Sequence, residues 1–146
     1  MIELQESTRE DLKLFSNWEY LDRIREFICP YSIERHKEEF DKDEIIYLSI
    51  NYNSNLVGFV LLKLEDDKKS VEFRRIVIVE RGKGIGQQVL DEIESYCLNK
   101  LKRSRIWLDV FSFNKIGIHI YEKLGYQRID EIDVEGKRAF IYEKLL

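Results

Sequence analysis

The residues best suited to chemistry form a short run of glycines and cations, Arg81-Gly82-Lys83-Gly84-Ile85-Gly86. This run lies between a strand-like stretch, residues 71–79, and a helix-like stretch, residues 87–99. Three glycines within five residues allow positive φ angles and a close approach of the backbone to a ligand. Successive N–H groups at a helix N-terminus bind phosphate, and two cations favour the same ligand. The run therefore predicts a loop that holds a phosphate group.

Two common phosphate-binding motifs do not fit this run. A P-loop needs Gly-Lys-Ser/Thr at a set distance from its first glycine, and Gln87 and Gln88 stand there relative to Gly82. The dinucleotide fingerprint fails as well, because Gln87 stands where its third glycine belongs and no clear strand with a terminal acid follows at the ribose distance. The phosphate must therefore belong to a different ligand.

A second motif, NKIGIHIYEKLGY, covers residues 114–126 and has an asparagine, a tyrosine seven residues later and then Lys-Leu-Gly-aromatic. Arg81, Gly84 and Gly86 fit the pattern Arg/Gln-x-x-Gly-x-Gly/Ala. Together, in this order and spacing, the two motifs resemble the coenzyme A motifs of the GNAT superfamily of N-acetyltransferases. The chain is similar to the branch that contains ribosomal-protein N-terminal and spermidine acetyltransferases. Taken separately, the motifs would also fit an ordinary glycine-rich turn and an amphipathic helix with a glycine C-cap.

The resemblance implies acetyl-CoA as cosubstrate, no metal, and direct transfer of the acetyl group in a ternary complex. The expected acceptor is a primary amine of a small molecule or of a peptide or protein. The expected cofactor-binding residues are Ile76, Val77, Ile78, Arg81, Gly82, Lys83, Gly84, Ile85, Gly86, Gln87, Asn114 and Tyr121. A non-catalytic acyl-CoA-binding module is the alternative function. An interaction domain without a cofactor would leave the loop unexplained.

Two residues are predicted to be catalytic. A phenol of pKa ~10 stays protonated at neutral pH, so Tyr121 is the expected donor to a departing thiolate whose conjugate acid is near ~8.5. Asn114 lies two helical turns earlier and shares its helix face. Glu72, four residues before Ile76, is the expected base for the amine proton, directly or through water. The structural alternatives are a core aromatic for Tyr121 and a solvated strand residue paired with Arg74 for Glu72.

The resemblance implies that residues 18–40 line the acceptor pocket, and aromatic side chains lie among acidic ones in this segment. Ordinary amphipathic helices with solvated charges are the structural alternative. Trp18, Phe27 and Tyr31 are the predicted substrate-binding residues, because aromatic faces near carboxylates receive cationic amines. His36 and His119 are predicted to be surface or partly buried packing residues. Cys29 and Cys97 are predicted to be packing residues, since two cysteines form no disulfide framework and, with two distant histidines, no metal-ligand spacing.

Composition sets the limits of this prediction. A chain of 146 residues fits a single acetyltransferase domain, 1–146. A net charge of −4 argues against a nucleic-acid partner and mildly favours a cationic substrate. Apolar runs fall far short of the roughly 20 residues that span a bilayer, and the first residues do not begin a signal peptide, so a soluble cytoplasmic protein without a membrane partner is expected. Exposed strand edges would allow a homodimer.

The elements that must position these residues follow from the hydrophobic periodicity. Seven strands are predicted at residues 2–5, 44–52, 56–64, 71–79, 106–111, 126–134 and 138–145. Four helices are predicted: one opened by a Ser7–Glu10 capping box, then 32–40, 87–99 and 114–124. The pattern indicates a mixed α/β sheet, with residues 76–79 buried on both faces. The resemblance implies a GNAT-like fold, in which the fourth and fifth strands splay apart between residues 75–79 and 107–111.

Overall fold

The computed structural model describes residues 1–146 and contains one mixed sheet of seven strands. The strands are β1 (Ile2–Glu6), β2 (Ile45–Tyr52), β3 (Asn55–Leu64), β4 (Ser70–Ile78), β5 (Arg105–Phe111), β6 (Gln127–Val134) and β7 (Lys137–Leu145). Their order in the sheet is β1-β2-β3-β4-β5-β7-β6. Only β4 and β5 pair in parallel. The predicted strand number and mixed sheet are confirmed.

Five helices accompany the sheet, one more than the sequence predicts. They are α1 (Leu12–Glu19), α2 (Asp22–Arg25), α3 (Ile33–Phe40), α4 (Ile85–Ser95) and α5 (Lys115–Lys123). The additional helix is α2, whose single turn is too short to show an apolar periodicity. A π-helical turn, Tyr96–Lys100, extends α4 to the predicted end. None of these helices combines the length and the apolar character that crossing a bilayer requires.

The predicted capping box before α1 is displaced by one residue. The N–H of Thr8 donates to Oδ2 of Asp11 at 2.8 Å, ahead of a 3₁₀ turn that leads into α1. The hydroxyl of Ser7 instead lies 2.7 Å from that of Ser49 on β2. Ser7 is therefore held by the sheet, and the next Thr-x-x-Asp in the sequence caps the helix.

Helices cover both faces of the sheet. On one face α1 packs over β2 and β3, through Leu12, Phe15, Tyr47, Phe59 and Leu61. On the other face α4 packs in a larger core that includes Ile85, Val89, Leu90, Ile93, Ile106 and Leu108. Residues of α5 pack against this second core while remaining partly exposed. The α1–α3 face and the α4–α5 face of the sheet therefore have separate hydrophobic cores.

The sheet opens between β4 and β5. Their pairing ends after three residue pairs, at Glu72 opposite Trp107. Beyond that point β4 continues alongside β3 as far as Ile78, and β5 continues alongside β7 as far as Phe111. The two strands therefore diverge while each keeps its outer neighbour, which confirms the expected splay. The unpaired edges leave a cleft through the middle of the sheet.

A β-bulge at Arg74 lies at the start of this cleft. Arg75 is opposite Leu61 and Phe73 is opposite Leu62, so Arg74 has no partner on β3. Arg74 and Arg75 both contact residues of the α1–α3 face, Glu39 and Glu19. A bulge places two consecutive side chains on one side of a strand and reverses the alternation that follows. The expected burial of residues 76–79 on both faces is wrong: only Val77 is buried, because the strand runs along an open cleft.

A glycine permits β3 and β4 to approach closely at the end of β4, where Gly58 is opposite Ile78. A Cβ at Gly58 would lie 2.1 Å from the carbonyl oxygen of Val77, a distance that no side chain can adopt. The neighbouring hairpin turn, predicted at residues 53–55, is confirmed by positive φ angles of 49° at Asn53 and 71° at Ser54. Glu135 and Gly136 form a similar turn between β6 and β7.

Candidate active site

The glycine-rich loop has the conformation of an anion-binding turn. Gly82, Lys83 and Gly84 have φ angles of 76°, 63° and 67°, so three consecutive residues are left-handed. Ile85 follows as the first residue of α4 and is buried in the core, which fixes the loop to the sheet. The N–H groups of Gly82, Lys83, Gly84, Gly86 and Gln87 donate to no acceptor in the protein. These amides at a helix N-terminus can donate hydrogen bonds to phosphate oxygens.

Space and charge at the loop agree with this interpretation. A Cβ at Gly84 would have no protein atom within 4 Å, so the concavity is open. Arg81 and Lys83 are exposed. Nζ of Lys83 lies 3.3 Å from a carboxylate oxygen of Glu80, which partly offsets its charge. Arg81 is thus the freer of the two predicted cations.

A cavity of about 360 Å³ occupies the cleft between β4 and β5. It connects the two faces of the sheet, because its walls come from the region between α2 and α3, from both strands, from α5 and from the β6–β7 turn. The lining includes Phe27, Cys29, Tyr31, Glu72, Arg74, Arg75, Ile76, Asp109, Phe111, Asn114, Tyr121 and Glu135. The structure therefore brings together the two predicted catalytic residues, two of the three predicted substrate residues and part of the cofactor set.

Besides the seven residues of the glycine-rich loop region, 81–87, three predicted residues do not line this cavity. Trp18 stacks on Phe15 with ring centroids 5.8 Å apart, because the two residues stand one turn apart on α1. Val77 is buried on the α1–α3 face, and Ile78 packs against the core of the opposite face. Trp18 therefore lies outside the lining of this cavity, and its predicted role in acceptor binding stays a prediction. For Val77 and Ile78 only main-chain roles remain, as the resemblance implies.

Asn114 and Tyr121 lie on α5 and face the cavity together. Oδ1 of Asn114 accepts the N–H of Gly117 at 3.0 Å and caps the helix. A Cβ at residue 117 would lie 2.8 Å from the Asn114 amide nitrogen, so the glycine keeps this cap close. The Tyr121 hydroxyl has no hydrogen-bond partner in the protein, and desolvation with the nearby charge of Asp109 raises its pKa to about 12. The phenol is thus protonated and free to donate.

Glu72 lies in the cavity wall but already has a partner. Its Oε1 accepts from Nη2 of Arg74 at 2.8 Å and from Nε at 3.2 Å. Arg74 also donates to Glu39 at 3.0 Å. The carboxylate therefore combines both interpretations that the sequence allowed, a strand residue paired with Arg74 and a group that faces the site.

Asp109 is the residue that the sequence analysis missed. It lies on β5, two residues beyond the last pair with β4, and its carboxylate makes no hydrogen bond in the protein. The side chain is open to the water of the cavity, yet the concave wall limits its solvation. This desolvation, with repulsion from Glu72, raises the pKa of Asp109. Its position in Leu-Asp-Val, between buried apolar residues of a strand, is the signal that would have identified it.

The two histidines differ. His119 is exposed on α5, as expected. His36 is fully buried, with Nδ1 2.6 Å from the Tyr47 hydroxyl and Nε2 3.1 Å from a carboxylate oxygen of Glu19. The expectation of a surface or partly buried packing role for His36 is wrong, because its partners come from α1 and β2 and are invisible locally. No group of three or more His, Cys, Asp or Glu side chains is arranged to hold a metal ion.

Comparisons with known proteins agree with this site. A sequence model described as the acetyltransferase (GNAT) family matches residues 8–126. A spermine/spermidine N(1)-acetyltransferase of Bacillus subtilis (strain 168) is 32% identical over 104 residues, which cover 66% of this chain and 68% of that protein. A spermidine N(1)-acetyltransferase of Vibrio cholerae is 28% identical, with 88% of this chain and 83% of that protein covered.

Solved structures share the fold. The spermidine N-acetyltransferase from Vibrio cholerae in complex with CoA and spermine superposes with a TM-score of 0.85 at 22% identity, over 99% of this chain and 95% of that one. The aminoglycoside acetyltransferase AAC(6')-Ib in complex with coenzyme A gives a TM-score of 0.84 at 16% identity, with the same coverage. The motifs, the splayed sheet and the family match lead to one conclusion: this chain belongs to the GNAT family and is an acetyl-CoA-dependent N-acetyltransferase.

Proposed function

We propose that the acceptor of this N-acetyltransferase is a primary amine of a flexible polycation such as spermidine or spermine. The observation that carries the proposal is the cavity that joins the two faces of the sheet at the splay. Its cofactor side has Asn114 and Tyr121, and its acceptor side has Glu72, Asp109 and aromatic rings. Carboxylates and aromatic faces attract alkylammonium groups. The names of the relatives from Bacillus and Vibrio support the same class of acceptor.

We assign phosphate binding to the free amides of the glycine-rich loop and to Arg81. Acetyl-CoA supplies the activated acetyl group as a thioester. The loop and α5 hold this substrate at two points, so that its reactive end lies at the splay, and positioning of this kind lowers the barrier strongly. The main chain of Ile76 to Ile78 lies along the same edge and is assigned to the pantetheine arm.

We assign the general base to Asp109. An alkylamine of pKa ~10 is only about a thousandth neutral at pH 7, so a proton acceptor contributes to the rate. The raised pKa of Asp109 makes it a better acceptor than an ordinary aspartate, and its oxygens are free. Glu72 then binds the cation beside it. In the alternative, Glu72 or a water chain is the base. Rate–pH profiles of Asp109→Asn and Glu72→Gln distinguish this alternative from Asp109 as the base.

We assign Tyr121 to the departing thiolate. A phenol of pKa about 12 is a weaker acid than a thiol near ~8.5, so complete proton transfer to the thiolate is unfavourable. A hydrogen bond from the hydroxyl still stabilises the negative charge that develops on sulfur as its bond to the acetyl carbon breaks. The main contribution of Tyr121 is thus hydrogen bonding during the transfer.

The test is an amine panel with detection of the released thiol. We expect spermidine and spermine to exceed butylamine in kcat/KM by at least about tenfold, because a second ammonium group finds a second carboxylate. A peptide N-terminus or a lysine side chain as the best acceptor would contradict the polycation assignment. Binding of acetyl-CoA without turnover of any amine would indicate the non-catalytic alternative.

We also propose that residues 1–146 form one domain and that the chain forms a homodimer. One sheet runs through the whole chain, which supports the first statement. Both sheet edges, β1 and β6, are unpaired, and β6 is exposed along most of its length. Such edges tend to pair with another chain. Light scattering during size-exclusion chromatography tests this; a monomer at high concentration would contradict it.

A further inference from the structure

One wall of the cavity has no secondary structure of its own. Residues 29–31, here called the wall segment, lie in the connection between α2 and α3, and Cys29 and Tyr31 line the cavity. Their backbone groups make no hydrogen bond to other backbone groups. Polar backbone groups near a protein interior need partners, so something else must fix this segment.

Side chains from two distant elements supply those partners. Oε1 of Glu19 accepts the N–H of Tyr31 at 2.7 Å, and Ser16 donates its hydroxyl to the Tyr31 carbonyl at 2.9 Å. Arg75 donates Nη2 to the carbonyl of Cys29 at 2.8 Å. Ser16 and Glu19 lie on α1, and Arg75 lies on β4 immediately after the bulge. The backbone of the wall segment is therefore fixed from α1 and β4, while the thiol of Cys29 also donates to Oε2 of Glu135 in the β6–β7 turn at 2.8 Å.

Glu19 is the centre of this arrangement. Its side chain is fully buried, and the oxygen that accepts from Tyr31 also accepts from Nη1 of Arg75 at 3.1 Å. The second oxygen lies 3.1 Å from Nε2 of His36. The Arg75 guanidinium in turn lies 3.6 Å from the centroid of the Tyr31 ring. One carboxylate thus fixes both the backbone of the wall segment and the cation that stacks on its aromatic ring.

Stability alone does not account for a buried pair of this kind. Desolvation of two charges offsets much of their attraction, and apolar residues of similar volume often stabilise a fold as well or better. The pair instead fixes the orientation of the Arg75 guanidinium. Arg75 reaches the Cys29 carbonyl and the Tyr31 ring in a defined geometry only while Glu19 holds its other nitrogen. Glu19 also neutralises Arg75, which would otherwise repel a cationic acceptor in the cavity.

We propose that Glu19 is a positioning residue for the acceptor amine: through Tyr31 and Arg75 it holds the wall segment opposite Glu72 and Asp109. This inference rests on the proposed function, because it assigns the wall segment to the acceptor side. Glu19 touches neither substrate. Its loss loosens the wall, weakens acceptor binding and leaves the cofactor side intact.

The first measurement is the steady-state kinetics of Glu19→Gln, which keeps the shape of the side chain and removes its charge. We expect KM for spermidine to rise about tenfold, with kcat within about threefold of wild type and KM for acetyl-CoA unchanged. A residue that only supports the fold would lower the amount of active protein without this split.

The second measurement does not depend on activity. Cys29 lies in the wall segment and is half-buried, whereas Cys97 is fully buried in the core. We expect iodoacetamide to alkylate Cys29 at least about fivefold faster in Glu19→Gln than in wild type, followed by mass spectrometry, while Cys97 stays unmodified. Faster alkylation reports local opening of the wall segment.

Glu94→Gln is the control, because Glu94, although partly exposed where Glu19 is fully buried, is likewise a carboxylate held by more than one partner, Tyr126 and Lys144. It lies on α4, away from the wall segment, and should change neither KM for spermidine nor the alkylation of Cys29. If Glu19→Gln does not fold, Ser16→Ala removes the other side-chain hydrogen bond that α1 makes to the backbone of Tyr31, with a rise of about threefold expected in both readouts.

Unchanged KM and unchanged alkylation in a folded variant would overturn the proposal, as would equal effects in Glu94→Gln. A rise in KM without faster alkylation would also overturn it, since the wall would not have moved. Failure of the proposed function is distinguishable, because wild-type protein would then acetylate no polyamine while the alkylation result still decides whether Glu19 holds the wall.

Discussion

The cofactor side and the acceptor side of the cavity obtain their rigidity in different ways. In the glycine-rich loop the binding groups are backbone amides of residues 82–87, and their orientation follows from φ angles that adjacent glycines permit. In the wall segment the backbone is held by side chains from α1 and β4. Two of these side chains, Glu19 on α1 and Arg75 on β4, are 56 positions apart in the sequence. The first site is encoded locally and the second by tertiary contacts. A substitution on one side of the cavity should therefore change binding on that side and leave binding on the other side unchanged.

The largest expected effect is on the acceptor side. Asp109→Asn should lower kcat/KM at pH 7 by about 10²–10⁴, because the variant cannot accept a proton, and the deficit should shrink at high pH, where free amine is abundant. Acetyl-CoA binding should not change. Rate–pH profiles check this, with Glu72→Gln measured in parallel. If Glu72→Gln shows the larger, pH-dependent deficit, the base is Glu72 and the assignment of Asp109 fails.

On the cofactor side, Gly84→Asp should abolish the stabilisation by coenzyme A. A ligand that binds only the folded state raises the free energy of unfolding by about 2.7 kcal/mol at a hundredfold excess over Kd. The new carboxylate extends into the open concavity and repels phosphate. Melting curves with and without coenzyme A check this.

Gly136→Asp is the control for Gly84→Asp. Gly136 also has a positive φ, 80°, and open space around its Cβ position, but it lies in the β6–β7 turn. Both variants share the backbone strain and the added charge. Only Gly84→Asp should lose the shift, and a shift that persists in it would place the coenzyme elsewhere.

A smaller effect is expected between the two sides. Tyr121→Phe should reduce kcat by roughly 10- to 100-fold, the range for a lost hydrogen bond to a developing charge. Turnover with a donor whose thiol is more acidic should be less affected. Tyr126→Phe is the matched control, since Tyr126 is buried next to Tyr121 and its hydroxyl donates to Glu94 at 2.9 Å. It should lower the melting temperature without slowing turnover; equal kinetic effects would reduce Tyr121 to a packing role.

The smallest effect concerns stability. The pKa of Asp109 is raised above its ordinary value of 3.8, so the folded state binds its proton more tightly than the unfolded state. The resulting stabilisation is complete below pH 3.8 and is lost as pH rises through the folded pKa. Asp109→Asn should therefore raise the melting temperature slightly at pH 7 and not at pH 3. A variant less stable than wild type at pH 7 would contradict this sign.

The sequence predicted the features that depend on neighbouring residues. The glycine-rich loop, Asn114 with Tyr121, and the hairpin at Asn53 and Ser54 all follow from short motifs, and the structure places them as expected. The seven strands follow from their periodicity. The family resemblance supplied the splay, which periodicity alone does not contain.

The features that the sequence did not predict depend on distant contacts. Asp109 becomes distinctive only because β4 turns away from it, and His36 because Glu19 and Tyr47 enclose it. Trp18 packs on Phe15 and does not line the cavity, since aromatic composition does not tell which side of α1 faces the core. The role of Glu19 was not predicted for the same reason, because its partners belong to three separate parts of the chain.

The bulge at Arg74 reverses the alternation of side chains along the rest of β4. Every side chain after it lies on the face opposite to the one that plain alternation from Phe73 would give. Deletion of this one residue would turn Arg75 away from Glu19 and exchange the faces of Ile76 and Val77, although the composition of the strand would hardly change. The fold should therefore tolerate length variation in the exposed turn before β4 far better than inside the strand, where one residue decides which face of the sheet each following side chain occupies.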